Sequence, residues 1–481
     1  MGCSIKSLSR NPFFYQILSI IFAITKGLVS IKLLVLMGNV EYVVVTQIAV
    51  FAAMLYQVSI FSFDGPFVKS AINSLNSEIY SFGLNIVTYV SILFFLTIGL
   101  LVPEFYMFRM WGSEIGIIYV YFFMLYSTVY ILSCRNLIYF QSQGDLISYA
   151  KYQLLQYSGQ LLSIIIGFVY NSLELVLVMM IMFELLLLLI GVKYSRQIFY
   201  IRSVVKPLCW LRENFEMALA LILSVLAIWL INNNGRLIIP HLGNLEQLTV
   251  YGVSMSIALL GGVFINPFCA ILFPVLAKND KVISKKNKTF IGLFVVSVIT
   301  FLSTLFILFF SSELQLIISK AELFPGYIFY SLSACTFILL GNSRVYSLFF
   351  ITNNSVRKSS GMYLLNASLT FFLCIALFQY FSVLAIPLSM LIGVVLSQIF
   401  YFNEIKYIYY ENPYSRIRHS GSILNLFVIA ALFSPLLFDN ASFIFKLIVF
   451  IGVVFIYFTL ILNVYHFRKL SEDFQTVFFK R

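Results

Sequence analysis

Six basic side chains lie inside or at the edge of long apolar stretches, where a lipid-facing helix carries no charge. They are Lys26, Lys32, Arg135, Arg236, Arg344 and Lys446. A charge at the centre of a bilayer costs about 2.5–3.5 kcal/mol on insertion scales, so the five of these that fall within predicted spans would cost roughly 12–17 kcal/mol together. A water-filled cavity with a positive lining would lower this cost, and it would attract an anion. Arginine suits phosphate because its planar guanidinium donates two parallel hydrogen bonds.

Each cation also has a simpler interpretation. Arg135 and Arg344 lie near the predicted cytoplasmic ends of their helices and could extend to the membrane interface, as could either lysine of the first helix. For Lys446, at the start of the last predicted span, extension toward the outer interface is the interpretation we favour.

Two acidic residues accompany these cations. Glu184 lies deep in a predicted span, where it could carry a proton or pair with a lysine, and Asp64 lies at the inner end of another. Asp64 precedes Gly65 and Pro66, so it could also simply cap a turn. We therefore treat both as candidates for ion coupling. The dispersed cysteine and histidine residues show no metal-binding spacing, and neither a metal nor a cofactor is expected.

The composition assigns the chain to a class. Of 481 residues, 61% are hydrophobic and 10% are charged, and the mean hydropathy is +0.97, which excludes a soluble globule. We predict an all-α polytopic membrane protein of about fourteen spans. The predicted spans are 13–37, 43–63, 80–102, 116–140, 149–170, 173–192, 216–234, 247–276, 289–310, 326–351, 362–380, 382–402, 421–438 and 442–464.

The distribution of Lys and Arg predicts the orientation. Most of the 31 basic residues fall in segments on one side, including the central link 193–215, whereas the predicted outer loops hold only Arg109, Arg236 and Lys320. Both termini are therefore expected in the cytoplasm. The net charge of +12 follows from this bias and does not indicate nucleic-acid binding.

A weak internal repeat divides the chain. The segment 37–41, Met-Gly-Asn-Val-Glu, reappears as Leu-Gly-Asn-Leu-Glu at 242–246, and Arg135 corresponds to Arg344 at nearly the same separation. Six spans per repeat would relate two lobes by a pseudo-two-fold axis along the membrane normal, with substrate bound between them. The predicted divisions are a lobe at 1–192, the basic cytoplasmic link 193–215, a lobe at 216–402, and two extra helices with a cytoplasmic tail at 403–481.

These features resemble the polysaccharide flippases, the O-antigen (Wzx-type) translocases of the multidrug/oligosaccharidyl-lipid/polysaccharide exporter superfamily. The resemblance rests on the span count, the two lobes, the basic link, and the helix with Lys26 and Lys32 that runs into 38–42, Gly-Asn-Val-Glu-Tyr, and Gln47. It implies an inner-membrane protein that moves an undecaprenyl-pyrophosphate-linked O-antigen or capsule repeat unit to the periplasmic face by alternating access. A polysaccharide polymerase and other assembly proteins would be partners. The basic pair also resembles that of peptidoglycan-precursor flippases, but the predicted span 247–276 carries no Lys or Arg.

Three alternatives remain open. A drug or cation exporter of the same fold should have more acids than bases in its cavity. A membrane polysaccharide polymerase or ligase should carry a large outer loop, whereas the predicted outer loops near 103–115, 233–246 and 311–325 are short. A scaffold would need no buried charge. We rank the flippase first, then the exporter, the enzyme and the scaffold, so the chain is not expected to be an enzyme.

Overall fold

The computed structural model describes residues 12–64, 66–67, 77–112, 115–142, 145–194, 205–265, 268–269, 272, 276, 282–353, 355–409 and 445–454. These residues form α-helices, short 3-10 helices and turns, and they contain no strand. The chain divides into two compact units, Met1–Thr249 and Val250–Arg481. The lobe and link boundaries proposed from the sequence stay a prediction.

The first unit is built from eight helices in the described residues. They are α1 (Pro12–Met37), α2 (Asn39–Ser59), α3 (Ser77–Leu101), α4 (Pro103–Trp111), α5 (Ile118–Ser142), α6 (Leu146–Tyr170), α7 (Leu173–Tyr194) and α8 (Val205–Leu242). Helix α6 packs against α1 and α7, and α5 packs against α2 and α7. Helix α8 contacts α2, α3 and α4. Trp210, near the start of α8, is buried in an apolar cluster with Ile60, Leu84 and Ile138, which explains why α8 belongs to this unit.

Helix α9 (Leu245–Leu259) leads into the second unit and ends in a 3-10 turn, Leu260–Gly262. The other helices of that unit within the described residues are α10 (Val282–Ile318), α11 (Tyr327–Thr352), α12 (Val356–Phe381), α13 (Ala385–Phe400), α14 (Phe402–Tyr409) and α15 (Phe445–Val454). Helix α11 packs against α10, α12 and α13, and α12 packs closely against α13.

Eight segments of the described residues are long and apolar enough to cross a membrane. They are Asn39–Ser59, Ser81–Leu101, Ile118–Phe140, Leu173–Lys193, Lys206–Leu242, Lys285–Ile318, Tyr327–Thr352 and Val356–Phe400. The last of these includes both α12 and α13. The predicted fold class, an all-α polytopic membrane protein, is confirmed. The predicted span 421–438 lies outside the described residues, and the span 442–464 is described only over α15.

The three long outer loops predicted from the sequence, 103–115, 233–246 and 311–325, are all largely helical. Helix α8 runs to Leu242, so Arg236, expected in an outer loop, is instead a buried residue of a helix, and residues 205–215 of the predicted link form the start of that helix. The predicted outer loop 103–115 contains α4. Apolar residues beyond the predicted end of the seventh span, such as Ile238 and Ile239, are buried and extend the helix.

The two five-residue segments of the repeat both lie at helix–helix junctions. Gly38 separates α1 from α2, and Gly243 and Asn244 separate α8 from α9. At the second junction the Asn244 Oδ1 accepts a hydrogen bond from the Gln247 N–H at 2.8 Å, and the Gln247 Oε1 accepts one from the Asn244 N–H at 3.2 Å. This reciprocal capping fixes the start of α9.

That Lys446 extends toward the outer interface stays a prediction, but its side chain is held by an ion pair that the sequence did not identify. Its side chain is 3% exposed, and Nζ donates to the Glu313 Oε1 at 2.7 Å, the Ser312 Oγ at 3.1 Å and the Tyr327 hydroxyl at 3.0 Å. Glu313 was missed because the sequence placed it in a loop after residue 310. Helix α10 is interrupted at Phe310, where φ is −114° and ψ is 15°, but it continues to Ile318.

Candidate functional site

Arg135 is a buried cation held by neutral groups. On α5, it donates from Nη1 to the Thr88 Oγ1 at 2.8 Å and from Nη2 to the Asn85 Oδ1 at 2.5 Å. Asn85 and Thr88 are three residues apart on α3, so both lie on the same face of that helix. Arg135 is 3% exposed, and its buried Nε–H has no acceptor among the described residues.

Arg135 has no carboxylate partner among the described residues. Two ion pairs between described residues, Lys446–Glu313 and Lys358–Glu404, lie in the second unit, and neither includes Arg135. A buried charge is costly unless it is paired and hydrogen-bonded. The two bonds to Asn85 and Thr88 use two of the five guanidinium donors, so Arg135 keeps capacity to bind an anion.

Glu184 is a buried acid in the same unit. It lies on α7, is 1% exposed, and accepts from the Gln156 Nε2 at 3.1 and 3.2 Å and from the Gln160 Nε2 at 3.2 Å. Gln156 and Gln160 are four residues apart on α6 and therefore face the same side. The Gln160 Nε2 also donates to the Tyr126 hydroxyl at 3.2 Å. This carboxylate is therefore held by neutral groups. It forms no direct ion pair with a described residue.

The lysines of α1 are both partly buried. Lys26 interacts electrostatically with Glu184 without forming an ion pair within 4.0 Å. Lys32 forms no hydrogen bond or ion pair with the described residues. Because an α-helix turns by about 100° per residue, side chains six positions apart point to different sides, so these two lysines do not form a single paired site.

Arg236 has a separate set of partners at the far end of α8. Its Nη1 donates to the Thr46 Oγ1 at 3.2 Å, and the side chain is 7% exposed. The adjacent Gln47 is fully buried and donates from Nε2 to the carbonyl oxygens of Met110 at 3.0 Å and Arg236 at 3.1 Å. Gln47 therefore ties α2 to both α4 and α8.

A close backbone approach supports this junction. Gly112, which follows α4, has φ of 71°, a conformation that side-chain-bearing residues rarely adopt, and a Cβ there would lie 2.7 Å from the Pro240 carbonyl oxygen of α8. Arg236 is thus part of a tightly packed junction of three helices.

The remaining two predicted residues lie elsewhere. Arg344, on α11 of the second unit, is partly buried, and its guanidinium carbon is 5.7 Å from the ring centroid of Tyr363 on α12. Asp64 is partly buried just beyond α2. The structure therefore brings Lys26 and Glu184 within electrostatic reach of one another, while Arg135, Arg236 and Arg344 each have their own partners.

The neutral partners could not be found from charge alone. Asn85 with Thr88, and Gln156 with Gln160, recur at helical spacing in apolar helices, and this pattern could have identified them. No cluster of three or more His, Cys, Asp or Glu side chains suited to a metal occurs in the part of the chain that the structure describes.

Comparison with known proteins places the fold. No protein-family model and no curated protein matches this chain. Among solved structures, the lipid II flippase MurJ in an inward closed conformation matches with a TM-score of 0.62 and 12% identity, over 94% of this chain and 98% of that chain. MATE in the bent conformation matches with a TM-score of 0.55 and 13% identity, over 88% and 98%. An inward-facing multidrug resistance MATE family transporter of the MOP superfamily matches with a TM-score of 0.55 and 16% identity, over 81% and 94%.

At these identities the likeness shows a shared fold. The three neighbours are 12–16% identical to this chain, and what they share with it is the arrangement of helices.

Proposed function

We propose that this chain is a membrane transporter that moves a lipid-linked oligosaccharide pyrophosphate from the cytoplasmic to the periplasmic face of the bacterial inner membrane by alternating access. An undecaprenyl-pyrophosphate-linked O-antigen or capsule repeat unit is the proposed cargo. The fold shared with a lipid II flippase and with MATE transporters supports the transporter class.

The observation that best supports an anionic cargo is the environment of Arg135. A guanidinium that is 3% exposed and bound only to Asn85 and Thr88 keeps a full positive charge without a described carboxylate beside it. An approaching pyrophosphate would supply the missing negative charge, and charge-assisted bonds to phosphate are about twice as strong as neutral ones.

The other proposed residues follow from the same chemistry. We propose that four further basic residues contact the pyrophosphate during transport: Lys26, Lys32, Arg236 and Arg344. Two acidic residues, Glu184 and Asp64, are proposed to couple transport to the movement of an ion. Three further expectations also stay proposals: the water-filled cavity with a positive lining, the cytoplasmic location of both termini, and association with a polysaccharide polymerase and other assembly proteins.

The test is complementation of a deletion strain with Arg135→Gln and Arg135→Lys. Loss of charge-assisted hydrogen bonds worth about 1.5–3 kcal/mol each predicts that Arg135→Gln lowers surface polysaccharide at least tenfold, while lipid-linked repeat units accumulate on the cytoplasmic face. Arg135→Lys keeps the charge but lacks the guanidinium fork, so it should be intermediate.

The matched control is Arg109→Gln, because Arg109 is an exposed arginine on α4. It should complement like the parent. Normal polysaccharide display by Arg135→Gln, at equal protein abundance in the membrane, would show that the anionic-cargo proposal is wrong.

The second candidate is export of a drug or another organic cation, and Glu184 favours it. Among the described residues this buried carboxylate has only neutral hydrogen-bond partners, so it could bind a proton or a cation in exchange for cargo. For an exporter, Glu184→Gln should abolish resistance to cationic drugs in a susceptible strain and Arg135→Gln should not. For a flippase the dependence is reversed, and Arg135→Gln should lower polysaccharide display.

A further inference from the structure

A pocket of about 250 Å³ lies between α2 and α8 within the first unit. Its polar lining consists of the amides of Gln57, Asn232 and Asn233, and its largest lining side chain is Trp229. The remaining lining residues are aliphatic or thioether side chains, and no charged residue is among them. Neither Arg135 nor Glu184 is among the residues that line this pocket.

Contacts with α2 hold the indole of Trp229 in place. Its Nε1 donates to the Val50 carbonyl oxygen at 3.3 Å, and its ring centroid lies 5.4 Å from that of Phe51, with an interplanar angle of 69°. Because the indole N–H is already bonded to α2, the ring contributes an apolar surface of fixed orientation to the pocket.

The amides of the pocket are unusual for an apolar helix. Asn232, Asn233 and Asn234 follow one another in the interior of α8, although asparagine is a poor helix former and polar groups are costly in a membrane span. The Asn233 Nδ2 donates to the Trp229 carbonyl oxygen at 3.0 Å, and no described residue donates to its Oδ1. Trp229 and Asn232 are three residues apart and therefore share one face of α8.

An aromatic surface beside uncharged amides suits a ligand with C–H groups on one side and hydroxyl groups at its edge. Amides both donate and accept, as sugar hydroxyls do. A volume of about 250 Å³ is below the range of about 300–1,000 Å³ for drug-sized ligands, so the pocket fits one ring and not a chain of several. We infer that this pocket binds a single sugar ring of the transported oligosaccharide, with Trp229 against the ring and Gln57 and Asn233 at its hydroxyls; this inference rests on the proposed function.

The experiment uses the purified full chain in lipid nanodiscs and two probes. One is farnesyl pyrophosphate, which has no sugar, and the other is the same lipid carrying one N-acetylglucosamine on the pyrophosphate. Dissociation constants of both probes are measured by titration calorimetry. The variants are Trp229→Leu and Trp229→Phe, with Leu219→Ala as control, since Leu219 lies on α8 outside the pocket lining and is 39% exposed.

Removal of the aromatic ring should weaken binding of the sugar-bearing probe roughly fivefold to tenfold and leave the sugar-free probe unchanged. Trp229→Phe keeps an aromatic ring without the bond to Val50 and should lose less than Trp229→Leu. Should Trp229→Leu fail to fold, Gln57→Leu on the opposite wall tests the same difference, with the same expected selectivity for the sugar-bearing probe.

Equal weakening of both probes, or no change in either, would overturn the inference while leaving the pyrophosphate site intact. Failure of both probes to bind the parent protein would instead overturn the proposed function, and the sugar pocket with it.

Discussion

The ion pair between Lys446 and Glu313 should hold α15 against α10 within the second unit. Lys446→Met removes the charge, the bond of 2.7 Å to Glu313 and the bonds to Ser312 and Tyr327, while it keeps most of the side-chain length. The rest of the contact between α15 and α10 is apolar, since Val449, Phe450, Val453 and Val454 pack against the cluster that includes Phe309 and Phe310. The substitution therefore isolates the polar part of this contact.

The size of the effect follows from the burial of the two partners. Exposed ion pairs contribute about 0–1 kcal/mol, whereas breaking a fully buried pair costs about 3–5 kcal/mol. The Lys446 side chain is 3% exposed and that of Glu313 is 26% exposed, which places the pair between these limits. We expect a loss of about 2–3 kcal/mol, which corresponds to a decrease in Tm of roughly 4–12 °C for a folding unit of some 200 residues.

The assay is thermal unfolding of the detergent-solubilised protein in a double-mutant cycle with Glu313→Gln. The double variant should be less destabilised than the sum of the single variants, because Lys446→Met then no longer leaves a carboxylate unpaired. Lys358→Met, which breaks the more exposed pair with Glu404 at 3.7 Å, serves as the control and should change Tm little. Equal, small effects of Lys446→Met and Lys358→Met would refute the argument from burial.

Two further outcomes are expected in the first unit. Gln47→Leu leaves the carbonyl oxygens of Met110 and Arg236 without the side-chain donor and should lower the unfolding free energy by about 1–3 kcal/mol, measured as a lower Tm; an unchanged Tm would contradict the role of Gln47 in tying the three helices. Hydrogen bonds from the hydroxyl and the backbone N–H of Ser148 lower the pKa of Asp145, which caps α6. Because the pKa of Asp145 is lower in the folded than in the unfolded protein, this stabilisation is present above the usual carboxyl pKa. It is lost as the pH falls below about 4. In thermal scans from pH 6 to pH 3 the Tm of the parent should fall more than that of Asp145→Asn, whose cap does not titrate. If the Tm of both proteins changes with pH in the same way, the role of the Asp145 cap is contradicted.

The sequence alone was sufficient to predict the class of the protein, an all-α membrane protein, and the positions of most helices. Hydropathy requires spans of membrane length, because an unpaired backbone group in hydrocarbon is too costly for any structure but a helix or a closed barrel. Helix ends were predicted well where a glycine or a polar turn interrupts the pattern, as at Gly38 and Asn171. They were wrong where buried residues carried the helix past the apolar window, as in α8 and at the end of α10.

What only the tertiary structure decided is which groups face each buried charge. The sequence identified Arg135, Glu184 and Lys446 as charges inside apolar stretches and Arg236 as a charge at the edge of one, because hydropathy is a property of one segment. Their partners lie on other helices, at Asn85 and Thr88, Thr46, Gln156 and Gln160, and Glu313. A side chain is satisfied by atoms a few ångströms away, so its pairing depends on helix packing, and the same hydropathy pattern describes an arginine among amides and a lysine bonded to a carboxylate.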